Sequence, residues 1–166
     1  MLKGGLFSLT HPSEQNGELN NNKTESRNIR KYPNHPIAAV GVLIQDKDKV
    51  LLIKRGTEPG EGLWSIPGGM IELGETAREA GKREVEEEVG LKVTLDRVID
   101  VFDRIFLDKN GLIESHYVIM DFLGHPVGGV VKTTKEAKSY KWIKIDEADS
   151  FPTSEDIKRM IRNLNY

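Results

Sequence analysis

The sequence predicts an α/β protein in which helices pack on a mixed β-sheet. Two pairs of β-rich runs lie at residues 37–55 and 93–123. One helical pattern lies between these pairs, and a second helical pattern ends the chain. Strands on both sides of a central helix, followed by a terminal helix, are typical of an α/β sandwich.

The composition indicates one globular domain. The chain has 166 residues, of which 37% are hydrophobic and 30% are charged, enough for one sizeable core. Its net charge of -2 provides no general attraction to nucleic acid or to an anionic membrane. The absence of cysteine excludes disulfides, thiolate metal sites and cysteine nucleophiles. Because no apolar run approaches the roughly 20 residues of a membrane span, and no signal-like segment begins the chain, we expect a soluble cytoplasmic protein.

The first 35 residues are predicted to form an N-terminal extension. Residues 13–28, SEQNGELNNNKTESRN, are polar and offer almost no apolar surface to bury. We therefore place the globular domain at residues 36–166. The extension is expected either to be flexible or to pack on the domain or a partner chain.

The strands are predicted from apolar β-rich runs and the turns between them. IAAVGVLIQ at 37–45 and VLLIKR at 50–55 form a predicted hairpin around the turn DKDK. A second hairpin comprises residues 93–106 and 112–123, with a strong turn signal at Asn110-Gly111. SYKWIKI at 139–145 is the last predicted strand. The short segment containing Pro67, Gly68 and Gly69 is interpreted as a tight loop.

The helices are predicted from their caps and spacing. TARE at 76–79 is a capping box, and Gly90 suits a helix C-terminus, so the first helix should span residues 76–89. Ser154 is the predicted N-cap of the second helix. Its apolar residues recur at helical spacing: Ile157, Met160, Ile161 and Leu164.

The first helix concentrates negative charge on one face. REVEEEVG, residues 83–90, has four glutamates within five positions, and Glu84, Glu87 and Glu88 share a face. One interpretation is a solvated helix stabilised by pairs such as Arg83 with Glu87. Glu84, however, has no cation at the spacing of such pairs, so we expect a cation from outside the helix to offset its charge. Because hard divalent cations prefer oxygen ligands, the second interpretation is a Mg²⁺ site.

The segment GMIELGETAREAGKREVEEEVGL, residues 69–91, resembles the Nudix box. That pattern is Gly, five residues, Glu, seven residues, then Arg-Glu-apolar-any-Glu-Glu-any-Gly-apolar, and every defined position is matched here. The wider resemblance covers about residues 37 to 146. It implies a Nudix α/β/α sandwich with a mixed β-sheet. It also implies Mg²⁺- or Mn²⁺-dependent hydrolysis of a nucleoside diphosphate linked to another moiety.

The resemblance also implies roles for individual residues. Glu84, Glu87 and Glu88 would bind the metal, and the Gly68 carbonyl would be a further ligand. Glu84 is the first candidate for the catalytic base. Glu136 precedes a tryptophan-containing strand, where related enzymes often have a second acidic group. It is interpreted as an alternative base, a further ligand or an ordinary exposed glutamate.

Candidate substrate-binding residues lie outside the helix. Arg55, with Lys54 as a weaker alternative, ends a strand before a glycine-rich loop and is either a phosphate ligand or an ordinary solvent-facing residue. Trp64, Phe102 and Tyr117 are candidates for stacking on a base, with a role in the core as the alternative.

The box indicates the reaction, whereas other regions select the substrate. Similarity to small prokaryotic Nudix proteins favours ADP-ribose or another ADP-sugar, cleaved to AMP plus a sugar phosphate. The alternatives are a MutT-like nucleoside triphosphate pyrophosphohydrolase that releases pyrophosphate and a non-catalytic nucleotide-sensing module. The expected partner is a small nucleotide, without a membrane and without nucleic acid. A homodimer is compatible with the resemblance, because many relatives dimerise.

Overall fold

A computed structural model of the protein describes residues 30–58 and 60–165. Most of the predicted extension, residues 1–29, lies outside the described residues, so its role and the predicted domain boundary stay predictions. Lys31 and Tyr32, in the described part of the extension, form hydrogen bonds with the domain. The Tyr32 backbone N–H donates to the Glu114 carbonyl at 2.7 Å, and Lys31 pairs with the Glu114 carboxylate at 2.8 Å.

Within the described ranges, the helices are too short or too polar to cross a membrane. The strands are β1 (Ile37–Asp46), β2 (Lys49–Arg55), β3 (Trp64–Ser65), β4 (Gly68–Met70), β5 (Leu91–Leu107), β6 (Ile113–Gly129) and β7 (Ala137–Lys144). The α-helices are α1 (Ala77–Val89) and α2 (Glu155–Arg162), and short 3₁₀ turns span Ile145–Ser150 and Asn163–Asn165. Both predicted hairpins, the last strand and both helices are confirmed.

The strands form one mixed sheet. Its order is β3-β2-β1-β6-β5, with β4 also paired to β1 and β7 also paired to β2. β1 runs parallel to β6, and the other pairs are antiparallel. The interpretation of the Gly68 segment as a loop was wrong, because it pairs with β1 as the strand β4.

Helices cover both faces of this sheet. Because successive side chains of a strand point to opposite faces, one strand contributes to the buried cluster on each side. On β1, Val42 belongs to a buried cluster that includes Val85 of α1. The next residue, Leu43, belongs to a second buried cluster that includes Ile161 of α2. The α/β/α arrangement implied by the family resemblance is therefore confirmed.

The ends of α1 follow from local hydrogen bonds. The Thr76 hydroxyl accepts from the Glu79 backbone N–H, and the Glu79 side chain accepts from the Thr76 backbone N–H. At the other end, Gly90 is left-handed with a φ of 72°, and its N–H donates to the Glu86 carbonyl. The capping box and the glycine stop are both confirmed, and together they set the orientation of the acidic face.

Candidate active site

Two consecutive glycines in β4 allow α1 to lie close to the sheet. A Cβ at Gly68 would lie 2.2 Å from the Val40 carbonyl oxygen, and a Cβ at Gly69 would lie 2.3 Å from Oε1 of Glu84. Neither distance leaves room for a side chain. The glycines therefore allow β4 to contact β1 on one side and the first carboxylate of the acidic face on the other.

Arg83 connects the acidic residues on α1 and just before it. Its guanidinium donates to Glu75 at 2.6 and 3.1 Å, to Glu84 at 2.8 Å and to Glu87 at 3.2 Å. It also donates to the Met70 carbonyl at 3.1 Å. The hydrogen bond with Arg83 lowers the pKa of Glu75, and the same pair raises the pKa of Arg83.

The expectation that no cation on the helix offsets the Glu84 charge was wrong. Arg83 does so from the adjacent position, because a long arginine side chain can fold back along the helix surface to its neighbour. Spacing rules for residues three and four apart do not include such neighbours. The same guanidinium forms the predicted pair with Glu87.

Glu88 is the buried member of the acidic face. Its residue is 8% exposed, and its Oε2 accepts from the Gly68 backbone N–H at 3.1 Å. Burial raises the pKa of Glu88 to about 7. The hydrogen bond from Gly68 and the charge of Arg55 oppose this rise, whereas the charges of Glu84 and Glu136 add to it.

The three predicted metal ligands differ in exposure. The side chains of Glu84 and Glu87 are 15% and 62% exposed, and both are paired with Arg83. Within residues 30–58 and 60–165, no three acidic or histidine side chains converge as a ready-made metal cluster. The carboxylates do line the same cavity, as their shared helix face requires.

The donor set fits a hard divalent cation. Glu84, Glu87 and Glu88 offer only oxygen donors, which are the ligands that Mg²⁺ and Mn²⁺ prefer. Glu136 lines the same cavity, and its charge adds to the rise in the pKa of Glu88. The charge of Arg55 opposes that rise. This excess of negative charge favours binding of a cation.

The cavity has a volume of about 700 Å³ and extends from the acidic face of α1 to the α2 side of the sheet. The predicted site residues outside α1 all line it, whereas Lys54 is exposed and does not. These lining residues are Arg55, Trp64, Gly68, Phe102, Tyr117 and Glu136. The structure therefore brings the candidate residues together, and their individual roles stay predictions.

The aromatic candidates also pack against the protein. Trp64 makes an edge contact with Phe151, with ring centroids 5.3 Å apart, and its carbonyl accepts from the Thr153 hydroxyl at 3.0 Å. The Arg104 guanidinium lies 5.3 Å from the centre of the Phe102 ring. Both rings therefore have structural contacts in addition to their surface on the cavity.

One buried residue of the cavity was missed from the sequence. Asp121, on β6, is 2% exposed and lines the cavity. Burial raises its pKa to about 7. Asp100 and Asp156 add to this rise, and Arg104 opposes it. The available signal was a single carboxylate within the apolar run YVIMDFL.

Ion pairs between β5 and α2 were also missed. Arg104 donates to Asp156 at 2.8 Å, and Arg159 donates to Asp100 at 2.7 Å. The partners are 52 and 59 residues apart in the chain. No local pattern in the sequence identifies such pairs.

Comparisons with known proteins agree with this fold. The family model described as NUDIX domain matches residues 35–164. An ADP-ribose pyrophosphatase from Methanocaldococcus jannaschii is 31% identical over 145 residues, which cover 87% of this chain and 83% of that protein. An 8-oxo-dGDP phosphatase from Homo sapiens is 35% identical over 109 residues, which cover 66% of this chain and 31% of that protein.

A solved structure, the MutT NUDIX hydrolase from Burkholderia pseudomallei, matches with a TM-score of 0.63 and 28% identity. The match covers 77% of this chain and 97% of that chain. The segment matched by the family model includes the α1 glutamates and the β5–β6 hairpin. Both ends of the cavity therefore lie within the shared domain.

Proposed function

Because this chain belongs to the Nudix family of hydrolases, which use divalent metals and act on small nucleotides, we propose that it hydrolyses a nucleoside diphosphate derivative. The best candidate substrate is ADP-ribose or another ADP-sugar. Water attacks one phosphorus of the pyrophosphate, the bridging P–O bond breaks, and the products are AMP and a sugar phosphate. The observation that carries this proposal is one cavity that holds the acidic face of α1, Arg55 and the rings of Trp64, Phe102 and Tyr117.

The similarity to the archaeal ADP-ribose pyrophosphatase supports this choice of substrate because it extends over most of both chains. The volume of about 700 Å³ also lies in the usual range of small-molecule sites. A dinucleotide-like ligand has two polar groups separated by a charged pyrophosphate. A cavity lined by carboxylates, arginines and aromatic rings offers contacts for both the charged and the ring-shaped parts of such a ligand.

We propose Mg²⁺ as the cofactor, with Mn²⁺ as a substitute. Glu84, Glu87 and Glu88, together with the Gly68 carbonyl, would hold it. When bound, such a cation neutralises phosphate charge and acidifies a water molecule. In this proposal the hydrogen bonds from Arg83 orient Glu84 and Glu87 toward the same side of the helix.

Other residues of the chain bind the substrate and accept a proton. Arg55 lines the cavity beside Glu88 and is proposed to bind a phosphate through its guanidinium. Glu84 is the proposed base, with the exposed Glu136 as the alternative. Trp64 and Tyr117 present ring surface to the same cavity and are proposed to contact the base.

The test is turnover of a nucleotide panel with Mg²⁺, with products separated by chromatography. We expect AMP and ribose 5-phosphate from ADP-ribose at a kcat/KM well above that of nucleoside triphosphates. Glu87→Gln should abolish most of this activity, whereas Glu86→Gln, on the exposed outer side of the same helix, should keep it. Full activity of the Glu87 variant would contradict the role of the acidic face.

A second candidate is hydrolysis of a nucleoside triphosphate or an oxidised nucleotide. The similarity to the human 8-oxo-dGDP phosphatase favours it, although this chain spans less than a third of that protein. Release of pyrophosphate or inorganic phosphate from such nucleotides, with little action on ADP-ribose, would identify this activity. Binding without turnover of any compound would identify a nucleotide sensor. A cytoplasmic location and a homodimer stay predictions from the sequence.

A further inference from the structure

The surroundings of Asp121 differ from those of a carboxyl that only stabilises the fold. The residue is 2% exposed, yet among the described residues its carboxyl makes no hydrogen bond and no ion pair. It lines the cavity, so its polar atoms face that space rather than a sealed core. Burial of a polar group without a partner costs free energy. A carboxyl retained in such a position is expected to have a partner that the chain itself does not provide.

The charge of Arg104 acts on the Asp121 carboxyl, but this guanidinium and that of Arg159 are already paired with other carboxylates. Arg104 donates to Asp156 at 2.8 Å, and Arg159 donates to Asp100 at 2.7 Å and pairs with Asp156 at 3.3 Å. This group thus contains three carboxyl groups, counting Asp121, and two guanidinium groups. It offers no excess positive charge to bind a phosphate at this end of the cavity.

The backbone keeps space for the Asp121 carboxyl. Gly41 on β1 lies directly opposite Asp121 on β6, and a Cβ on Gly41 would come within 2.2 Å of the Asp121 Oδ1. The other neighbour of Gly41 in the sheet is Gly68, which contacts Glu88 of the acidic face. Only β1 therefore separates Asp121, on β6, from Gly68, the β4 residue that contacts the acidic face. Both residues line the same cavity.

We propose that Asp121 is a specificity-determining residue that binds a neutral hydrogen-bond donor of the substrate, either an amino group of the base or a sugar hydroxyl. This inference rests on the proposed pyrophosphohydrolase function. Binding of this donor by Asp121 would also orient the substrate. The pyrophosphate lies toward Arg55 and the α1 glutamates, and the donor group lies over β6 at the opposite end.

The test compares ADP-ribose with three analogues, each without one donor: the adenine amino group, a hydroxyl of the adenosine ribose, or a hydroxyl of the terminal ribose. In the wild-type protein, one analogue should lower kcat/KM by about 10- to 100-fold, as expected for one lost hydrogen bond in a buried site. Asp121→Ala should lower kcat/KM for ADP-ribose to a similar degree and show no further loss with that analogue. The analogue that loses its penalty identifies the donor as base or sugar.

Three further variants separate recognition from structure. Asp121→Val fills part of the space and replaces the alanine variant if that one does not fold. Gly41→Ala pushes the Asp121 carboxyl aside and should reproduce the loss. Asp103→Ala removes an exposed carboxylate of β5 that pairs with His116, outside the cavity, and should match the wild type.

The outcomes are distinct. A purely structural Asp121 predicts a lower melting temperature in both Asp121 variants, with every analogue penalty unchanged, and that result would overturn the inference. Our proposal expects a melting temperature at or above that of the wild type, because an unpartnered buried carboxyl has been removed. A wild-type protein that hydrolyses none of the four compounds would overturn the proposed function and this inference together.

Discussion

The two ends of the cavity hold their charged groups in different ways. At the α1 end, the carboxylates of Glu75, Glu84 and Glu87 share one guanidinium, that of Arg83. At the α2 end, two arginines pair with carboxylates from other elements, and Asp121 is left without such a pair. The first end concentrates negative charge, and the second nearly balances its charges around the Asp121 carboxyl. In our proposals, hydrolysis takes place at the α1 end, and the α2 end selects the substrate.

The largest expected effect comes from removing the proposed base at the α1 end. Glu84→Gln should reduce kcat by about 10²–10⁴-fold, the usual contribution of a general base. Product formation from ADP-ribose with Mg²⁺ measures it, and Glu86→Gln is the control with the same change of charge. If Glu136→Gln shows the larger loss instead, Glu136 is the base and the α1 carboxylates only bind the cation.

The next effect distinguishes the α2 end by its response to pH. The pKa of Asp121 is raised from 3.8 to about 7 by burial, with Asp100 and Asp156 adding and Arg104 opposing. The folded state therefore holds a proton that the unfolded state releases, and this contribution to stability is lost as the pH rises from about 4 through 7. As the pH rises across this range, the free energy of unfolding of Asp121→Asn should increase relative to that of the wild type by on the order of 3 kcal/mol.

Urea unfolding of both proteins at pH 5 and pH 8 measures this difference. Other groups that titrate in the same range, including Glu88, are present in both proteins and cancel in the comparison. An equal free-energy difference at the two pH values would show that the Asp121 carboxyl is ionised throughout.

A smaller loss is expected when the shared cation of the α1 end is removed. Arg83→Leu leaves Glu75 and Glu84 without their partner in a partly buried setting, and the Arg83 side chain is 24% exposed. We expect a loss of about 2–3 kcal/mol in the free energy of unfolding, below the value for a fully buried pair. Arg97→Leu, which breaks the exposed pair with Asp96, is the control and should cost far less. Similar losses in the two variants would contradict a central role for Arg83.

The smallest effect concerns the outer pair at the α2 end. The Arg159 side chain is 50% exposed where it pairs with Asp100. Arg159→Gln should cost only about 0.2–1 kcal/mol and should cost less in 1 M salt, because exposed pairs are screened. Urea unfolding at two salt concentrations measures it. A loss that is large and independent of salt would show that this pair is effectively buried.

The sequence predicts the α1 end well because its determinants are local. The Thr76 capping box and Gly90 define the helix, and helical geometry then places the glutamates on one face. The pairing of Arg83 with adjacent Glu84 was missed because it depends on the rotamer of a long side chain. The strand β4 was missed because three residues become a strand only through pairing with β1.

The α2 end could not be predicted in the same way because its parts meet only in the folded chain. The ion pairs of Arg104 and Arg159 span more than fifty residues of sequence, and neither partner belongs to a recognisable motif. Asp121 is visible in the sequence as a carboxylate in an apolar run. That this carboxyl lines a cavity cannot be read from the sequence, because the cavity forms only where α2 packs on the sheet.

The neighbouring glycines of β4 differ in the kind of mutational tolerance that they allow. At Gly68 an added methyl group meets the Val40 carbonyl, a backbone atom that cannot move without separating two strands. At Gly69 the same methyl group meets the end of the Glu84 side chain, which can rotate away. A substitution at position 69 is therefore expected to leave the protein folded while it displaces the Glu84 carboxylate. At position 68 a substitution meets a barrier in the architecture itself.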